Sequence, residues 1–390
     1  RVRVRGESCL FAFNDQILEV LEMIKRYAVF LVLIFLTCGC QSSFGPRALK
    51  HSHPAYNQVI VNTLSQELLL NLVRLKYRDR PFFLKVGSVT ATFAMGADIG
   101  VEGEYGIDWK RDIGDGRIVS PSIGVSYSQS PTISYTPLQG EAFLKSVLTP
   151  ISLEAILVIT QSGWSVERVF GICVERANNL YNAPTASGPT PEEAPRYRKF
   201  SRMLAILRTL QIAGLLEIGL DVESVENRHM IAHIDPNPDY QDLINELKSL
   251  LEVSQEANDF KITANFLHLR KKEVDLRPRS IASVLYYLSQ NVEVPEEHKE
   301  AGLITVTKAK DGGEFNWDET PAGRMFKVRS SKRKPGNTFI AVPYRGAWFY
   351  IADDDLHSKS TFMLLSQLFN LQAGQTEDVG PTLTIPVGGR

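Results

Sequence analysis

Two histidines, His229 and His233, have the spacing that most directly suggests metal chemistry in this sequence. On a helix, residues four apart lie on the same face, where two imidazoles could bind zinc. Met230, however, occupies the position at which a zinc metalloprotease needs its general-base glutamate. Ile231, Ile234 and the flanking β-type pattern favour a strand, so we predict a strand here and no metal site.

Motifs of the common enzyme chemistries are absent from the sequence. It has no Gly-x-Ser-x-Gly nucleophile motif, no Walker phosphate loop, no His-Glu-x-x-His zinc motif and no Cys-x-x-Cys pair. The acidic run at 353–355 precedes a predicted helix, whose dipole stabilises carboxylates near its N-terminus. We therefore predict no cofactor and no enzymatic activity.

The charge pattern limits the partners that we expect. The 43 lysine and arginine residues nearly balance the 44 aspartate and glutamate residues, which gives no reason to expect a nucleic-acid partner. A basic run at 327–334 fits a solvated hairpin turn, or else a contact with anionic lipid headgroups or an acidic partner.

The strongest pattern in the sequence is a period-two alternation over residues 89–137. Apolar residues dominate the odd positions, and Gly, Ser, Thr, Asp and Glu dominate the even positions. A turn-like stretch at 110–116 separates two such halves, so we predict a long antiparallel β-hairpin over residues 83–137. The candidate functional residues form what we term the apolar hairpin face: Phe93, Met95, Ile99, Val101, Tyr105, Ile123, Val125 and Tyr127.

The two halves of this pattern agree in register. In an antiparallel hairpin, odd residues can face odd residues only if the paired residue numbers add to an even total. A turn centred near Ile113 satisfies that condition and predicts Ile99 opposite Tyr127 and Val101 opposite Val125.

Three interpretations of the hairpin remain open at this point. It could enter the membrane as part of an oligomeric β-barrel, because transmembrane strands alternate lipid-facing apolar with lumen-facing polar residues. About eight strands are the usual minimum for such a barrel, so at least four copies of the chain would be needed. It could instead pack one face on the helices of a soluble body, which also produces alternation. The third interpretation is an exposed arm that pairs with another protein.

Residues 23–39 have the organisation of a secretory signal peptide. Lys25 and Arg26 follow Met23, an apolar run comes next, and small residues close the segment. The run is shorter than the roughly 20 residues that a membrane-spanning helix needs. Because this signal is complete from Met23 onward, we expect residues 1–22 to be a non-native upstream extension.

The end of the signal, Leu-Thr-Cys-Gly-Cys, resembles a bacterial lipobox, in which a small residue precedes the cysteine that is lipidated. Gly39 makes Cys40 the predicted lipidation site and the mature N-terminus. In Gram-negative lipoproteins, a residue such as Gln41 at the next position implies sorting to the outer membrane. An ordinary cleaved signal is the alternative. We predict that residues 40–55 form a polar tether after the anchor.

The remaining sequence predicts an α+β protein. We expect an N-terminal helix over residues 56–82 and, after the hairpin, a helical and mixed body over residues 138–390. Within the body, residues 165–181 are predicted to be helical, with Cys173 buried on that helix. The Pro-rich stretch at 182–195 is predicted to be an exposed, mobile loop.

Two segments, residues 66–86 and 344–374, resemble uncharacterised lipoproteins of Gram-negative bacteria. The resemblance covers most of the mature chain and implies a lipid anchor on the periplasmic face of the outer membrane, without a known activity. The nearest functional analogy is with secretion-channel lipoproteins, which place hairpins from several protomers in one outer-membrane barrel.

We therefore predict a structural component of an oligomeric envelope complex, a pore or export conduit built from shared β-hairpins. Its expected partners are the membrane, through the lipid anchor, and copies of itself or other envelope proteins. The alternative is a monomeric periplasmic adaptor that binds another envelope protein.

Overall fold

The computed structural model describes residues 23, 25–27, 46–103, 119–222, 228–264, 272–373 and 383–386. Within these residues, helices combine with three β-sheets, which confirms the predicted α+β class. The chain divides into two units, Arg1–Thr63 and Leu64–Arg390, and most of the described residues belong to the second.

Among the described residues, the longest helix is α1, which runs from Pro46 to Lys76. It begins inside the predicted tether, whose residues from Pro46 onward are helical, and it ends before the predicted boundary at residue 82. It is followed along the chain by α2 (Glu141–Leu148), α3 (Leu153–Gln161), α4 (Val166–Cys173), α5 (Arg198–Ile212), α6 (Gln241–Leu251), α7 (Ile281–Ser289), α8 (Glu296–Glu300) and α9 (Leu356–Ala373).

Serine hydroxyls determine where several of these helices begin. Ser152, Ser165 and Ser280 precede α3, α4 and α7, and each accepts a hydrogen bond from the backbone N–H three residues further on. Such N-caps satisfy a backbone donor that the first turn of a helix leaves without a partner. Short 3-10 turns lie at Pro184–Ser187, Pro238–Tyr240 and Trp317–Glu319.

The predicted hairpin is formed by β1 (Phe83–Gly103) and β2 (Val119–Leu138), which pair antiparallel. The expected register is wrong, because Ile99 lies opposite Ile123 and Val101 lies opposite Pro121. This shift of four residues along β2 keeps odd residues opposite odd residues. The alternating pattern therefore determined which residues share a face, but it did not determine the offset.

A bulge and a third strand modify the base of the hairpin. The register shifts between Val86 and Ser88, where one extra residue of β1 lies in the ladder. A short strand near the end of the chain, β12 (Leu383–Pro386), pairs antiparallel with β2 from Thr132 to Tyr135. Its pairing with this base did not follow from any sequence pattern.

A six-stranded sheet in the order β4-β3-β8-β7-β6-β5 organises the body. Its parallel pair is β7 with β8, and its other pairs are antiparallel. The strands are β3 (Val174–Ala177), β4 (Leu180–Tyr181), β5 (Leu216–Val222), β6 (Arg228–Ile234), β7 (Asp259–Thr263) and β8 (Glu273–Pro278). A smaller sheet in the order β10-β11-β9 contains β9 (Arg329–Ser331), β10 (Thr338–Tyr344) and β11 (Ala347–Ala352).

The helix predicted over residues 165–181 is wrong in its second half. Helix α4 ends at Cys173, and the chain continues as β3 and β4. Strand β3 pairs with β8, where Ala177 lies opposite Leu276, so a distant strand overrides the local helical preference. Cys173 is buried as predicted, and burial raises the pKa of its thiol to about 12. A thiol of that kind is an inert core residue.

The exposure predicted for residues 182–195 holds only in part, since Glu192 and Glu193 are exposed but other residues of the stretch are buried. Asn182 is fully buried, and its backbone carbonyl accepts a hydrogen bond from the Arg279 guanidinium. Arg279 is itself 1% exposed, donates to the Ser187 hydroxyl at 3.1 Å and lies over the Tyr287 ring at 4.0 Å. Arg279 therefore holds the first residues of the stretch against the core.

Candidate functional site

The structure places most of the apolar hairpin face on two paired strands. Strand β1 carries Phe93, Met95, Ile99 and Val101, and strand β2 carries Ile123, Val125 and Tyr127. Met95 lies opposite Tyr127 and Ile99 lies opposite Ile123, so the register brings members of this face together. Two further predicted residues, Cys40 and Tyr105, lie outside the described residues.

The base of the hairpin is fixed in the body by aromatic packing. Phe83, the first residue of β1, is buried. Its ring centroid lies 6.1 Å from that of Phe143 on α2 and 4.7 Å from that of Phe369 on α9. Both separations are within the range of favourable ring–ring contacts.

Asn71 on α1 holds the chain just before β1. Its amide donates to the Phe82 carbonyl oxygen at 2.6 Å, and its side-chain oxygen accepts from the Phe82 backbone N–H at 2.9 Å. Asn71 is fully buried, so this pair of bonds replaces contacts with water at the point where the hairpin begins. The sequence signal for its role is that Asn71 interrupts the apolar run Leu-Leu-Leu-Asn-Leu-Val.

Glu67, one turn earlier on α1, also contacts the base. Its carboxylate accepts a hydrogen bond from the Leu84 backbone N–H. Burial raises the pKa of this carboxyl to about 7, against the opposing effects of the Leu84 hydrogen bond and the Arg74 charge. The hairpin base thus includes a group that changes charge near neutral pH.

Both long edges of the hairpin are open to a further strand over most of their length. Strand β1 is at the edge of its sheet, because the strand order is β1-β2-β12. Strand β12 covers β2 only between Thr132 and Tyr135. In the described part of the chain, no other strand pairs with either limb. Open edges present rows of backbone donors and acceptors with which another chain can pair.

His233 lies on β6, as predicted, between two carboxylates. Its Nδ1 lies 2.6 Å from Asp259 and its Nε2 lies 3.0 Å from Asp235. The hydrogen bond with Asp259, followed by that with Asp235, raises the pKa of the imidazole. Across the described ranges, no group of three or more His, Cys, Asp or Glu residues is placed to hold a metal ion.

The two charged runs have local partners. Asp355 accepts hydrogen bonds from the backbone N–H and the hydroxyl of Ser358, which makes it the cap of α9. In the basic run, Lys327 pairs with Asp318 at 2.8 Å. The run does not form a simple hairpin turn, since β9 and β10 both pair with β11 rather than with each other.

Comparisons with protein-family models, with curated proteins and with solved structures found no match to this chain. Among the residues that the structure describes, no helix combines the length and the apolar character needed to cross a membrane.

Proposed function

We propose that this chain is a lipoprotein, anchored on the periplasmic face of the outer membrane, that assembles through its β1–β2 hairpin into an oligomeric envelope complex. A pore or export conduit is the form of complex that we favour. The observation that carries the proposal is a hairpin whose base is fixed in the body and whose two long edges, over most of their length, lack a covering strand among the described residues. Such edges suit pairing with the hairpins of neighbouring copies.

The length of the hairpin is compatible with crossing a bilayer. The ladder from Ser88 to Gly103 spans about 50 Å at roughly 3.3 Å per residue. At a strand tilt of about 40°, this gives roughly 40 Å along the bilayer normal, against a hydrocarbon core of about 30 Å. Each strand therefore leaves about two residues at either side for the interfaces.

Strands β1 and β2 pair with each other, and β12 adds a third strand at the base. A monomeric adaptor remains the second candidate, because the same open edges could pair with a single strand of another envelope protein.

The deciding experiment compares the full chain with a shortened hairpin. Thr90 and Thr132 lie opposite one another, so an Asn-Gly turn can replace residues 91–131 without disturbing the pairing with β12. Native mass spectrometry of both detergent-extracted proteins measures the copy number. Four or more copies that become a monomer on shortening support the shared barrel. A monomer in both cases contradicts the barrel and supports the adaptor.

Single substitutions test whether the apolar hairpin face meets lipid. Ile99→Arg should prevent membrane insertion, because an arginine at the lipid-facing midplane of a barrel costs about 2–4 kcal/mol. Ser122→Arg, at an even position of the partner strand, is the matched control and should insert. Circular dichroism of both variants reports on the body. Unfolding of the body by Ile99→Arg alone would assign this face to the core and reject the barrel.

The lipid anchor needs its own test, since it depends on the sequence pattern of the signal. Metabolic labelling with a radioactive fatty acid should mark the wild-type protein and fail to mark Cys40→Ser. Equal labelling of the two proteins would reject Cys40 as the lipidation site. Cys173→Ser is the matched control, because this buried thiol should not affect labelling.

A further inference from the structure

The small sheet of β9, β10 and β11 has one face in the core and one face toward solvent. Along β11, Phe349 and Ile351 are buried. Successive side chains of a strand point to opposite faces, so Trp348 and Tyr350 lie on the other face, where both rings keep part of their surface in contact with solvent. We call this surface the outer sheet face.

Cationic side chains border the two rings. Arg329 on β9 lies opposite Tyr350 in the ladder, and residues directly opposite one another share a face of the sheet. The ammonium of Lys334 lies over the Trp348 ring, 5.5 Å from its centroid. Arg329 and Lys334 are both exposed, so a partner in solution can reach their charges.

Carboxylates neutralise only part of the basic run at 327–334. Lys327 pairs with Asp318 at 2.8 Å, and Lys332 pairs with Glu297 at 2.5 Å. Three cations of the run have no ion pair in the part of the chain that the structure describes, namely Arg329, Arg333 and Lys334. These three charges are available to an anionic partner.

One further carboxylate lies close to the run. The Glu293 backbone N–H donates to the Val328 carbonyl oxygen at 2.8 Å, and the side chain of Glu293 is exposed. With Glu293 included, the five cations of the run still exceed the three neighbouring carboxylates by two. The border of the outer sheet face therefore has a net positive charge.

The β10–β11 turn joins this sheet to the start of the hairpin. The Tyr344 hydroxyl and the Arg345 guanidinium both donate to the Asp79 carboxylate, the guanidinium at 2.8 Å. Asp79 lies four residues before β1 begins. Trp348 pairs with Pro343, the neighbour of Tyr344, so its ring lies at the end of the sheet that contacts the start of the hairpin.

We propose that the outer sheet face binds the anionic headgroups of phospholipids at a membrane surface. Tryptophan and tyrosine favour the membrane interface, because their rings are apolar at one end and polar at the other. Basic residues beside such rings attract anionic lipids. The choice of a lipid over an acidic protein rests on the proposed membrane anchor and on the nearness of this face to the start of the hairpin.

Vesicle flotation of the full-length chain tests this proposal. Cell-free synthesis without membranes gives a chain that carries no lipid. Vesicles of phosphatidylcholine alone are then compared with vesicles that also contain phosphatidylglycerol. We expect stronger binding to the anionic vesicles, and we expect added salt to reduce the difference, since salt screens exposed charges. Equal binding to both kinds of vesicle overturns the proposal.

Two double variants assign the binding to this face. Each basic residue near an anionic surface contributes about fivefold in affinity, so Arg329→Gln with Lys334→Gln should bind the anionic vesicles roughly 25-fold more weakly. Arg198→Gln with Lys199→Gln is the matched control, because it removes the same charge from exposed positions on α5. The control should bind like the wild type. Equal weakening by both double variants overturns the assignment, since net charge alone would then explain the binding.

The fluorescence of Trp348 gives a second readout that needs no change of charge. Subtracting the spectrum of Trp348→Phe from that of the wild type isolates the emission of this ring. Anionic vesicles should shift the emission to shorter wavelength, because the ring leaves water for the membrane interface. An unshifted emission from chains that float with the vesicles overturns the proposal.

These comparisons do not depend on lipidation or on a barrel. The chain carries no lipid in this assay, and both double variants retain the hairpin. A failure of the proposed anchor or oligomer would therefore leave the difference between the two double variants unchanged. A failure of the outer sheet face to bind lipid would in turn leave the copy number of the full chain unchanged.

Discussion

Glu67→Gln should stabilise the protein above pH 7. Glu67 contacts the base of the hairpin through the hydrogen bond that its carboxylate accepts from the Leu84 backbone N–H. Burial raises the pKa of this carboxyl from 4.5 to about 7. Glutamine keeps an oxygen that can accept from Leu84 and removes the buried charge, so the variant avoids the desolvation of a carboxylate.

The sign and the size of the effect follow from proton linkage. An acid whose pKa is raised by folding binds more protons in the folded state, so the free energy of unfolding falls as the pH rises from 4.5 to about 7. At about 1.4 kcal/mol per pH unit, this interval corresponds to roughly 3 kcal/mol. Because Glu67 is only half-buried, solvent screening reduces the effect to about 1.5 kcal/mol.

Urea denaturation of the variant and the wild type between pH 4.5 and pH 8.5 measures this difference. We expect equal stability at the acidic limit and an advantage of about 1.5 kcal/mol for Glu67→Gln above pH 7.5. Glu256→Gln, at an exposed position, is the matched control and should stay within about 0.5 kcal/mol of the wild type. A variant less stable than the wild type at pH 8 would refute the reasoning, because the attraction of Leu84 and Arg74 would then exceed the desolvation.

Two further predictions concern packing in the body. Arg279→Met should lower the free energy of unfolding by about 3–5 kcal/mol, measured by urea denaturation, because several buried backbone carbonyls would lose their donor. Gly323→Ala should cost about 2–3 kcal/mol, measured by calorimetry. A Cβ atom at this glycine would lie 2.0 Å from the carbonyl oxygen of Trp317 and 2.7 Å from the Cα of Asp318.

Each of these two predictions has a matched control. Arg279→Lys keeps the charge but lacks the planar fork of donors, so it should recover only part of the loss. Full recovery would mean that charge, and not the geometry of the guanidinium, holds the stretch at 182–195. Gly336→Ala adds a Cβ atom with no heavy atom within 4 Å and should be nearly neutral. Equal losses at Gly323 and Gly336 would contradict the steric argument.

Local patterns predicted a large part of the fold. The alternation over residues 89–137 predicted the β1–β2 hairpin, which the structure confirms. The short β pattern around His233 predicted a strand instead of a zinc-binding helix, and His233 lies on β6. The predicted start of α4 near Ser165 is also confirmed, since Ser165 caps that helix. These features depend on neighbours within a few residues, which the sequence displays directly.

Long-range contacts decided the features that the sequence misjudged. Helix α4 ends at Cys173 because β8, about a hundred residues away in the chain, pairs with the segment that follows. The start of the Pro-rich stretch is buried, where Arg279 donates to the carbonyl oxygens of Asn182 and Ala183. No property of either segment alone indicates such a partner.

The sequence by itself determined the α+β class and which hairpin residues share a face, because both depend on residue types at short spacing. The signal pattern that ends at Cys40 stays a prediction from the same kind of spacing. Only the tertiary structure decided the register of Ile99 against Ile123 and the burial of Lys76 beside Gln290. Lys76 and Gln290 are 214 residues apart in the chain, so their contact forms only when distant segments pack.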